Sequence, residues 1–270
     1  KTERVVKLSA RITAAAGIAR EEMHDIARAA YLAKADLVTG AVIEFTSVQG
    51  IMGRYYALAA GETPQVAQAI ADHYRPRFAG DDLPESRVGQ VVAMADKVDT
   101  ICGLFAVGQA PTGSSDPFAL RRAALGVLAI LETGLPISLV EAIDGALIIY
   151  RERGLQFDNA EVRREIIDFF ITREKVALRD AGVKADTIDE LAEDLKRKDK
   201  QVLFVPRPGG DLDWREEIDT TSVVDKLRGA DIVLEYSVAD DSALDGASNA
   251  SFKLALQREE HKLDDRQKVD

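Results

Sequence analysis

Residues 95–126 constrain the fold most, because they join an apolar helical run, a glycine-broken loop and a second apolar run. Asp116 stands where an N-cap belongs, and Pro117 suits the first helical position, where its missing N–H costs nothing. We therefore predict a helix that begins at Pro117. Nearly every residue from 118 to 131 is apolar, which predicts that this helix is buried on most sides.

Two cations, Arg121 and Arg122, interrupt this apolar helix. Successive helical positions differ by about 100° in direction, so both side chains cannot serve one partner. We expect one arginine to point inward and to pair with a carboxylate such as Asp96 or Asp99. The other would point outward, where a nucleic-acid phosphate is a candidate partner. The pair therefore has either a structural role or a binding role.

Apolar residues recur at helical spacing through most of residues 1–195. The pattern predicts helices over residues 3–16 and 23–31, a longer apolar helix over 37–60, and a helix over 88–105 with Lys97 and Asp99 off its apolar stripe. Further helices are predicted after a cap at Asp158 or Asn159 and over about 186–196. The fold class is mainly α, a helical bundle with no sheet of more than two strands in residues 1–195.

Three prolines add helix starts to this pattern. Pro64, Pro117 and Pro136 each precede an apolar repeat, which predicts that each lies in the first turn of a helix.

The composition changes after the charged run at 195–200. Two short β-like runs follow, at 201–205 and 232–238, and the last thirty residues are acidic and poor in large apolar side chains. We predict two parts: a helical domain at 1–195, and an acidic C-terminal segment at 196–270 of uncertain, possibly α+β, structure.

The net charge of −11 argues against general affinity for nucleic acid, so any RNA contact needs a local cationic patch. The candidates for such a patch are Arg75, Arg77, Arg121, Arg122, Arg163 and Arg164. No run of about eighteen apolar residues is present, so we expect no membrane contact. The single cysteine, Cys102, lies in an apolar run and is expected to be a small core residue, which suits a reducing cytoplasm. Because the sequence starts at Lys1 without a methionine, we expect it to be a piece of a longer chain.

The segment PTGSSDPFALRRAALG at 111–126 resembles the signature of the bacterial glycyl-tRNA synthetase beta-subunit family. Four further blocks resemble the same family in the same order: KTERVVKLSARI at 1–12, KADLVTGAVIEFTSVQGIMGRYYA at 34–57, HYRPRFAGDDLP at 73–84 and ADKVDTICGLFAVGQ at 95–109. The resemblance continues more weakly over 169–189. We recognise nothing beyond about residue 196.

This resemblance implies a chain that helps to bind and position tRNA(Gly). The alpha subunit would use ATP and Mg²⁺ to make glycyl-adenylate and would transfer glycine to the tRNA in an alpha2beta2 assembly. No catalytic residue and no cofactor are expected on this chain. Its tRNA-binding candidates are Arg75, Arg77, Arg121 and Arg122.

The resemblance also implies a degenerate HD-type helical domain. HD phosphohydrolases hold a metal with a histidine, a histidine followed by an aspartate, and a distant aspartate. In this chain Ala35 replaces the histidine before Asp36, while His73 and Asp96 match other positions of the site. His24 with Asp25 is unsuited, because this pair stands near the beginning of a helix instead of after its apolar run.

Two interpretations of Asp36, His73 and Asp96 remain open. In the first, the carboxylates accept hydrogen bonds or pair with a replacement cation, His73 is an ordinary surface or loop histidine, and no metal is bound. The candidate cations are Lys34, Lys97, Arg121 and Arg122. In the second, the three residues serve a metal-dependent phosphohydrolase. A purely structural helical module is a third alternative for the whole chain.

Overall fold

The computed structural model describes residues 1–180, 182–186 and 188–189. This part of the chain contains nine α-helices and two short 3₁₀ segments, and no β-strand, so the prediction of a mainly α fold is confirmed for it. The helices are α1 Thr2–Ala15, α2 Arg20–Leu32, α3 Gly40–Glu44, α4 Ile51–Ala59, α5 Pro64–Asp72, α6 Arg87–Ala106, α7 Leu120–Leu131, α8 Leu139–Glu152 and α9 Asn159–Asp180; the 3₁₀ segments are Ala35–Val38 and Thr46–Val48.

The chain forms two compact units. The larger unit comprises Lys1–Ile137 and Glu141–Arg173, and the described residues of the smaller are Ser138–Val140 and 174–189 without 181 and 187. Every side chain of the candidate site belongs to the larger unit. Among the described helices, none is both long and apolar enough to cross a membrane.

Helix α6 is central to the larger unit and contacts α1, α2, α5 and α7. Ser86 caps its beginning, where the hydroxyl accepts a hydrogen bond from Gly89 N at 3.1 Å. The predicted apolar stripe, which includes Val91, is buried. Lys97 and Asp99, which the sequence places off this stripe, are buried as well, because the surrounding helices also cover the polar side of α6.

The first two predicted helices are present. In α1 the predicted stripe of Val5, Leu8 and Ile12 is buried. In α2 the pattern is followed less well, because Met23 and Tyr31 are exposed. The buried residues of α2 are Ile26, Ala29 and Ala30, and the two alanines allow close packing.

The single long helix predicted over residues 37–60 is wrong. The segment instead consists of the two 3₁₀ segments, the short α3 and the nine-residue α4. Gly50 has φ +77°, which lies outside the right-handed helical region and separates the second 3₁₀ segment from α4. An L side chain at Gly50 would be strained, so this glycine fixes where α4 begins.

Two of the three proline predictions are also wrong. Pro64 occupies the first turn of α5, and Thr63 caps that helix by accepting a hydrogen bond from Val66 N at 3.2 Å. Pro117 and Pro136, however, each stand three residues before the first residue of a helix.

The start of α7 shows why the position of Pro117 misleads. The Asp116 carboxylate accepts hydrogen bonds from Leu120 N at 2.8 Å and from Arg121 N at 3.0 Å. Ala119 adopts a left-handed conformation with φ +55°, so the chain turns once before the helix begins. Asp116 therefore satisfies helical N–H groups as predicted, but for a helix that starts at Leu120.

The C-terminal predictions are only partly covered by the described residues. The Asp158 side chain accepts a hydrogen bond from Glu161 N at 2.9 Å at the beginning of α9, which confirms the predicted cap. The helix predicted over 186–196 lies almost entirely outside the described residues. The boundary near 195, the β-like runs and the acidic segment at 196–270 lie wholly outside them.

Gly103 allows α8 to approach α6. A Cβ at Gly103 would overlap with Tyr150 Oη, which donates a hydrogen bond to the Asp99 carbonyl oxygen at 3.0 Å. We expect Gly103→Ala to lower the free energy of unfolding by about 1–3 kcal/mol, because the ring must shift and its hydrogen bond lengthens. Gly40→Ala is the matched control, since its added Cβ meets no atom within 4 Å. Urea unfolding of both variants is the measurement, and equal midpoints would contradict the prediction.

Candidate functional site

Helix α6 carries three charged residues close to its middle: Lys97 and Asp99 are buried, and the Asp96 side chain is only 14% exposed. Buried charges are costly unless they are paired or hydrogen-bonded. In this protein each of the three finds its partners on other elements of the fold. We call this set of contacts the charge cluster, and it includes the predicted positions Asp36, His73 and Asp96 together with Lys34.

Asp99 is paired by α1. Arg4 Nε donates to Asp99 Oδ1 at 2.8 Å, and Arg4 Nη2 donates to Oδ2 at 3.3 Å. Lys1 Nζ lies 3.0 Å from Asp99 Oδ2. The prediction that Arg121 or Arg122 pairs with Asp96 or Asp99 is wrong, because α1 supplies the cations for Asp99 and both arginines of α7 have other surroundings.

Asp96 is paired by two lysines. Lys34 Nζ donates to Asp96 Oδ2 at 3.1 Å, and Lys1 Nζ lies 3.2 Å from Oδ1. Burial alone would raise the pKa of the Asp96 carboxyl, but the nearby ammonium groups hold it well below its usual range. Lys34 Nζ also lies 4.0 Å from the centre of the Tyr74 ring, a cation–π contact. One of the four predicted replacement cations, Lys34, therefore stands beside Asp96.

Asp36 is buried and accepts two backbone hydrogen bonds. Its Oδ2 atom lies 2.6 Å from Gly50 N and 3.1 Å from Gly53 N. A Cβ at Gly53 would lie 3.1 Å from the same oxygen and 2.8 Å from Ile70 Cγ2. The two glycines therefore let the backbone at the beginning of α4 approach the carboxylate closely. This arrangement agrees with the interpretation of Asp36 as a hydrogen-bond acceptor in helix packing.

His73 is completely buried, so its interpretation as a surface or loop histidine is wrong. It caps the end of α5, and its Nδ1 atom lies 2.6 Å from the Ile70 carbonyl oxygen. Because a carbonyl oxygen only accepts, Nδ1 carries the proton and Nε2 is an acceptor. Burial, followed by the positive charge of Lys34, lowers the pKa of His73 to about 3. The imidazole is therefore neutral at pH 7.

The charge cluster does not fit a divalent metal ion. The described residues contain no group of three or more His, Cys, Asp or Glu side chains arranged to hold one. Asp36 Oδ1 and His73 Nε2 have no hydrogen-bond partner among the described residues, and each could accept a hydrogen bond from a ligand. However, the Lys34 ammonium group beside Asp96 Oδ2 would repel a divalent cation at that carboxylate. Lysine supplies the positive charge here, which disfavours the phosphohydrolase interpretation.

Lys97 connects the charge cluster to the protein surface. Its Nζ atom donates to the carbonyl oxygens of His73 at 3.2 Å and Arg75 at 2.6 Å. Burial lowers the pKa of Lys97 to about 8, and the negative charge of Asp96 opposes this shift. The ammonium group thus remains mostly protonated at pH 7. It holds the chain that leaves α5, where Arg75 and Arg77 stand on either side of a cis proline, Pro76.

Arg75 and Arg77 each have a nearby carboxylate. Arg75 Nη1 lies 3.3 Å from Asp72 Oδ1, and its side chain is about one third exposed. Arg77 Nε donates to Asp81 Oδ2 at 3.1 Å, and the same oxygen accepts from Arg77 N at 2.8 Å. Half of the Arg77 side chain is exposed. These contacts fix the loop while leaving guanidinium N–H groups at the surface.

Arg121 and Arg122 differ as predicted in direction but neither is buried. Arg121 donates from Nη2 to the Gly113 carbonyl oxygen in the loop before α7. Arg122 is exposed and has no ion-pair partner in the described part of the chain. One turn later on the same face, a Cβ at Gly126 would lie 3.3 Å from Pro76 Cγ. Helix α7, which carries Arg122, thus packs at Gly126 against the segment that carries Arg75 and Arg77.

The remaining arginine candidates and the other described histidine stand apart from this arrangement. Arg163 Nε donates to Asp144 Oδ1 at 2.7 Å, and Arg164 is exposed on α9. The His24 side chain is exposed near the beginning of α2 and contacts Asp25, as predicted for a pair unsuited to the metal position.

Arg4 and Tyr150 belong to the cluster but were not identified from the sequence. Arg4 stands four residues before Leu8 and eight before Ile12, so it continues the buried stripe of α1. A cation in line with an apolar stripe is a signal for a buried partner. Tyr150 gives no such signal, because its partner lies about fifty residues earlier in the chain.

We expect the stability of the protein to fall between pH 6.5 and 3 partly because of His73. Its pKa is lowered in the folded state, so the unfolded chain binds more protons and unfolding becomes easier as the pH falls. His73→Asn keeps a donor for the Ile70 carbonyl and is expected to flatten this dependence by at most about 1.4 kcal/mol per pH unit. His24→Asn is the control. Parallel pH profiles of unfolding for wild type and His73→Asn would contradict the prediction.

We expect Lys34→Met to destabilise the protein by up to about 3–5 kcal/mol, because Asp96 loses a buried partner. Lys1 keeps part of the pairing, so the loss should be smaller than this limit. Lys7→Met is the control, since Lys7 makes a surface ion pair with Glu152 at 3.5 Å that contributes about 0–1 kcal/mol. A double-mutant cycle with Asp96→Asn measures the coupling, and a value near zero would show that Lys34 does not stabilise Asp96.

Comparison with known proteins identifies the family. A family model described as glycyl-tRNA synthetase beta subunit matches residues 1–193. The glycine–tRNA ligase beta subunit of Clostridioides difficile is 48% identical over 190 residues, which cover 70% of this chain and 27% of that protein. The beta subunit of Alteromonas mediterranea is 47% identical over 193 residues, or 71% of this chain and 27% of that protein.

A further relative extends the similarity. The glycine–tRNA ligase beta subunit of Vibrio vulnificus is 38% identical over 266 residues, which cover 96% of this chain and 36% of that protein. The similarity therefore continues past residue 196, where the sequence analysis recognises nothing. The chain spans about a quarter to a third of the length of these relatives. It belongs to the glycyl-tRNA synthetase beta-subunit family.

Proposed function

We propose that this chain is the helical part of a glycyl-tRNA synthetase beta subunit that helps to bind and position tRNA(Gly). The observation that carries the proposal is the packing of α7, which bears the exposed Arg122, against the segment that bears Arg75 and Arg77, on a chain that belongs to this family. Three arginines from two elements form a cationic area, which we call the arginine surface. Arginine is suited to phosphate because its planar guanidinium offers several donors in a fixed geometry.

The three arginines of the arginine surface are not equivalent. Arg75 and Arg77 already have carboxylate neighbours, Asp72 and Asp81, which offset part of their charge. Arg122 has none among the described residues, and its full charge is available to a phosphate. We therefore expect Arg122 to contribute most to binding. Arg121 has a supporting role, because it holds the Gly113 carbonyl of the adjacent loop.

The charge cluster has a positioning role in this proposal. Lys97 donates hydrogen bonds to the carbonyl oxygens of His73 and Arg75, just before Pro76, and its stem packs against Gly126 of α7. A single buried lysine thus fixes both elements that carry the arginine surface. The domain would be an HD-type helical domain in which lysine replaces the metal, with no catalytic residue and no cofactor of its own.

The chemistry would belong to a partner. In this proposal an alpha subunit uses ATP and Mg²⁺ to activate glycine and transfers it to tRNA, and the two subunits form an alpha2beta2 enzyme in the cytoplasm. The relatives are named beta subunits of a ligase, which supports a role within a multi-subunit enzyme. The arrangement of lysines at Asp96 gives no support to an independent hydrolase.

We expect Arg122→Ala, made in the full-length beta subunit, to weaken tRNA(Gly) binding while leaving the melting temperature unchanged. The plot of log affinity against log salt concentration should lose about one unit of slope, because one phosphate contact is lost. Arg77→Ala is expected to act in the same direction but less strongly. The measurement is a titration of tRNA(Gly) at several salt concentrations with the alpha subunit present.

Arg20→Ala is the matched control, since Arg20 is an exposed arginine at the beginning of α2, among acidic residues. It should change neither affinity nor salt slope. If Arg122→Ala and Arg77→Ala bind tRNA(Gly) as the control does, the arginine surface has no part in binding and the proposal is wrong.

A further inference from the structure

Residues 37–58 expose an unusual number of large apolar side chains. Val38 is 82% exposed, Ile43 62% and Phe45 68%, and Tyr55 is 57% exposed. We call the whole set the apolar surface; its members are Leu37, Val38, Ile43, Phe45, Ile51, Tyr55, Tyr56 and Leu58. Exposed apolar side chains are normal when scattered singly, whereas a group of them marks an interaction site.

Helix α4 shows that this exposure is directional. Ile51, Tyr55 and Leu58 stand at positions i, i+4 and i+7, so they share one face, and this face is exposed. The opposite face carries Gly53 and Ala57, which are buried. Helix α4 contacts α5, and a Cβ at Gly53 would meet Ile70 of that helix. The helix thus turns its small residues to the core and its large apolar residues outward, the reverse of a helix that faces solvent.

The segment before α4 continues the same surface. Helix α3 contacts both 3₁₀ segments, and the first of these also contacts α4. Leu37 and Val38 lie in the first 3₁₀ segment, Ile43 lies in α3, and Phe45 follows it. Asp36 holds the backbone of Gly50 and Gly53 and so ties the first 3₁₀ segment to α4. The exposed side chains therefore stand on backbone that is held by helix contacts and hydrogen bonds, and not on an unsupported loop.

The charge of this segment excludes nucleic acid as its partner. Residues 37–58 contain only two charged side chains, Glu44 and Arg54, which cancel, whereas 30% of the whole chain is charged. A nucleic-acid contact requires a local excess of lysine and arginine. Depletion of charge together with tyrosine and phenylalanine is instead typical of the core of a protein–protein interface.

We propose that the apolar surface is the docking site for an uncharged, apolar face of the other subunit of the synthetase. This inference rests on the proposed function, since it assumes a partner subunit. Contacts between domains of one chain are more polar than obligate subunit contacts, and this surface has the obligate composition. The arginine surface stands on the α5–α6 connection and α7, so the domain would bind tRNA and the other subunit through different elements.

The test uses the full-length beta subunit and introduces a carboxylate into the apolar surface. Val38→Asp and Phe45→Asp change exposed side chains, so each isolated subunit should melt within a few degrees of wild type. Both variants should bind the alpha subunit roughly tenfold more weakly or worse, because the carboxylate would be buried without a partner. Ile148→Asp is the matched control, an exposed apolar residue on α8. It should bind the alpha subunit as wild type does.

Hydrogen exchange gives an independent readout that needs no variant. Residues 37–58 of the wild-type beta subunit should become protected when the alpha subunit is added. Unchanged alpha-subunit affinity in both variants, with no such protection, would overturn the inference.

Two other outcomes would assign the apolar surface to another occupant and so also overturn it. Unfolding of the isolated variants together with protection in the free beta subunit would assign it to the rest of the same chain. Loss of self-association would assign it to a second copy. If the wild-type beta subunit itself does not bind the alpha subunit, the proposed function fails as well, so the two failures are distinguishable.

Discussion

The need to compensate three buried or nearly buried charges on one central helix organises the larger unit. Asp99 is paired from α1, Asp96 from the residues after α2, and Lys97 binds carbonyl oxygens after α5. Apolar packing brings these helices together, but it is indifferent to small shifts along or around a helix. A small shift would break a directional contact with a buried carboxylate or ammonium group, and the unpaired charge that results is costly. The cluster therefore sets how each neighbour is aligned on α6.

The apolar periodicity was sufficient to predict the helices that pack with a clear stripe. The stripes of α1 and α6 are buried, and the cap before α9 is present. The apolar periodicity failed over residues 37–60, where apolar residues are so frequent that they define no single helical face. There the path of the backbone is set by Asp36, whose carboxylate accepts hydrogen bonds from Gly50 N and Gly53 N. A contact between residues fourteen positions apart, through one oxygen, has no signature in hydrophobic spacing.

The sequence pointed to some members of the charge cluster, but not to Arg4 or Tyr150 and not to most of the pairing. Resemblance pointed to Asp36, His73 and Asp96, and all three lie buried or nearly so around the cluster. The cations assigned to them were only partly right: Lys34 meets Asp96, whereas Arg121 and Arg122 meet neither aspartate. Pairing depends on the direction in which α7 leaves its loop, and the left-handed Ala119 changes that direction. The burial of His73 was missed because its neighbours come from distant segments.

The sequence distances within the charge cluster have a consequence for the order of events during synthesis. Arg4 and Asp99 are 95 residues apart, and Lys34 and Asp96 are 62 apart. At roughly 5–20 residues per second, α1 leaves the ribosome several seconds before its partner on α6 exists. During that interval α1 lacks the helix that carries the partner of Arg4, while α2 can already contact α1 and α5. The buried ion pairs of this fold can therefore form only after α6 has been made.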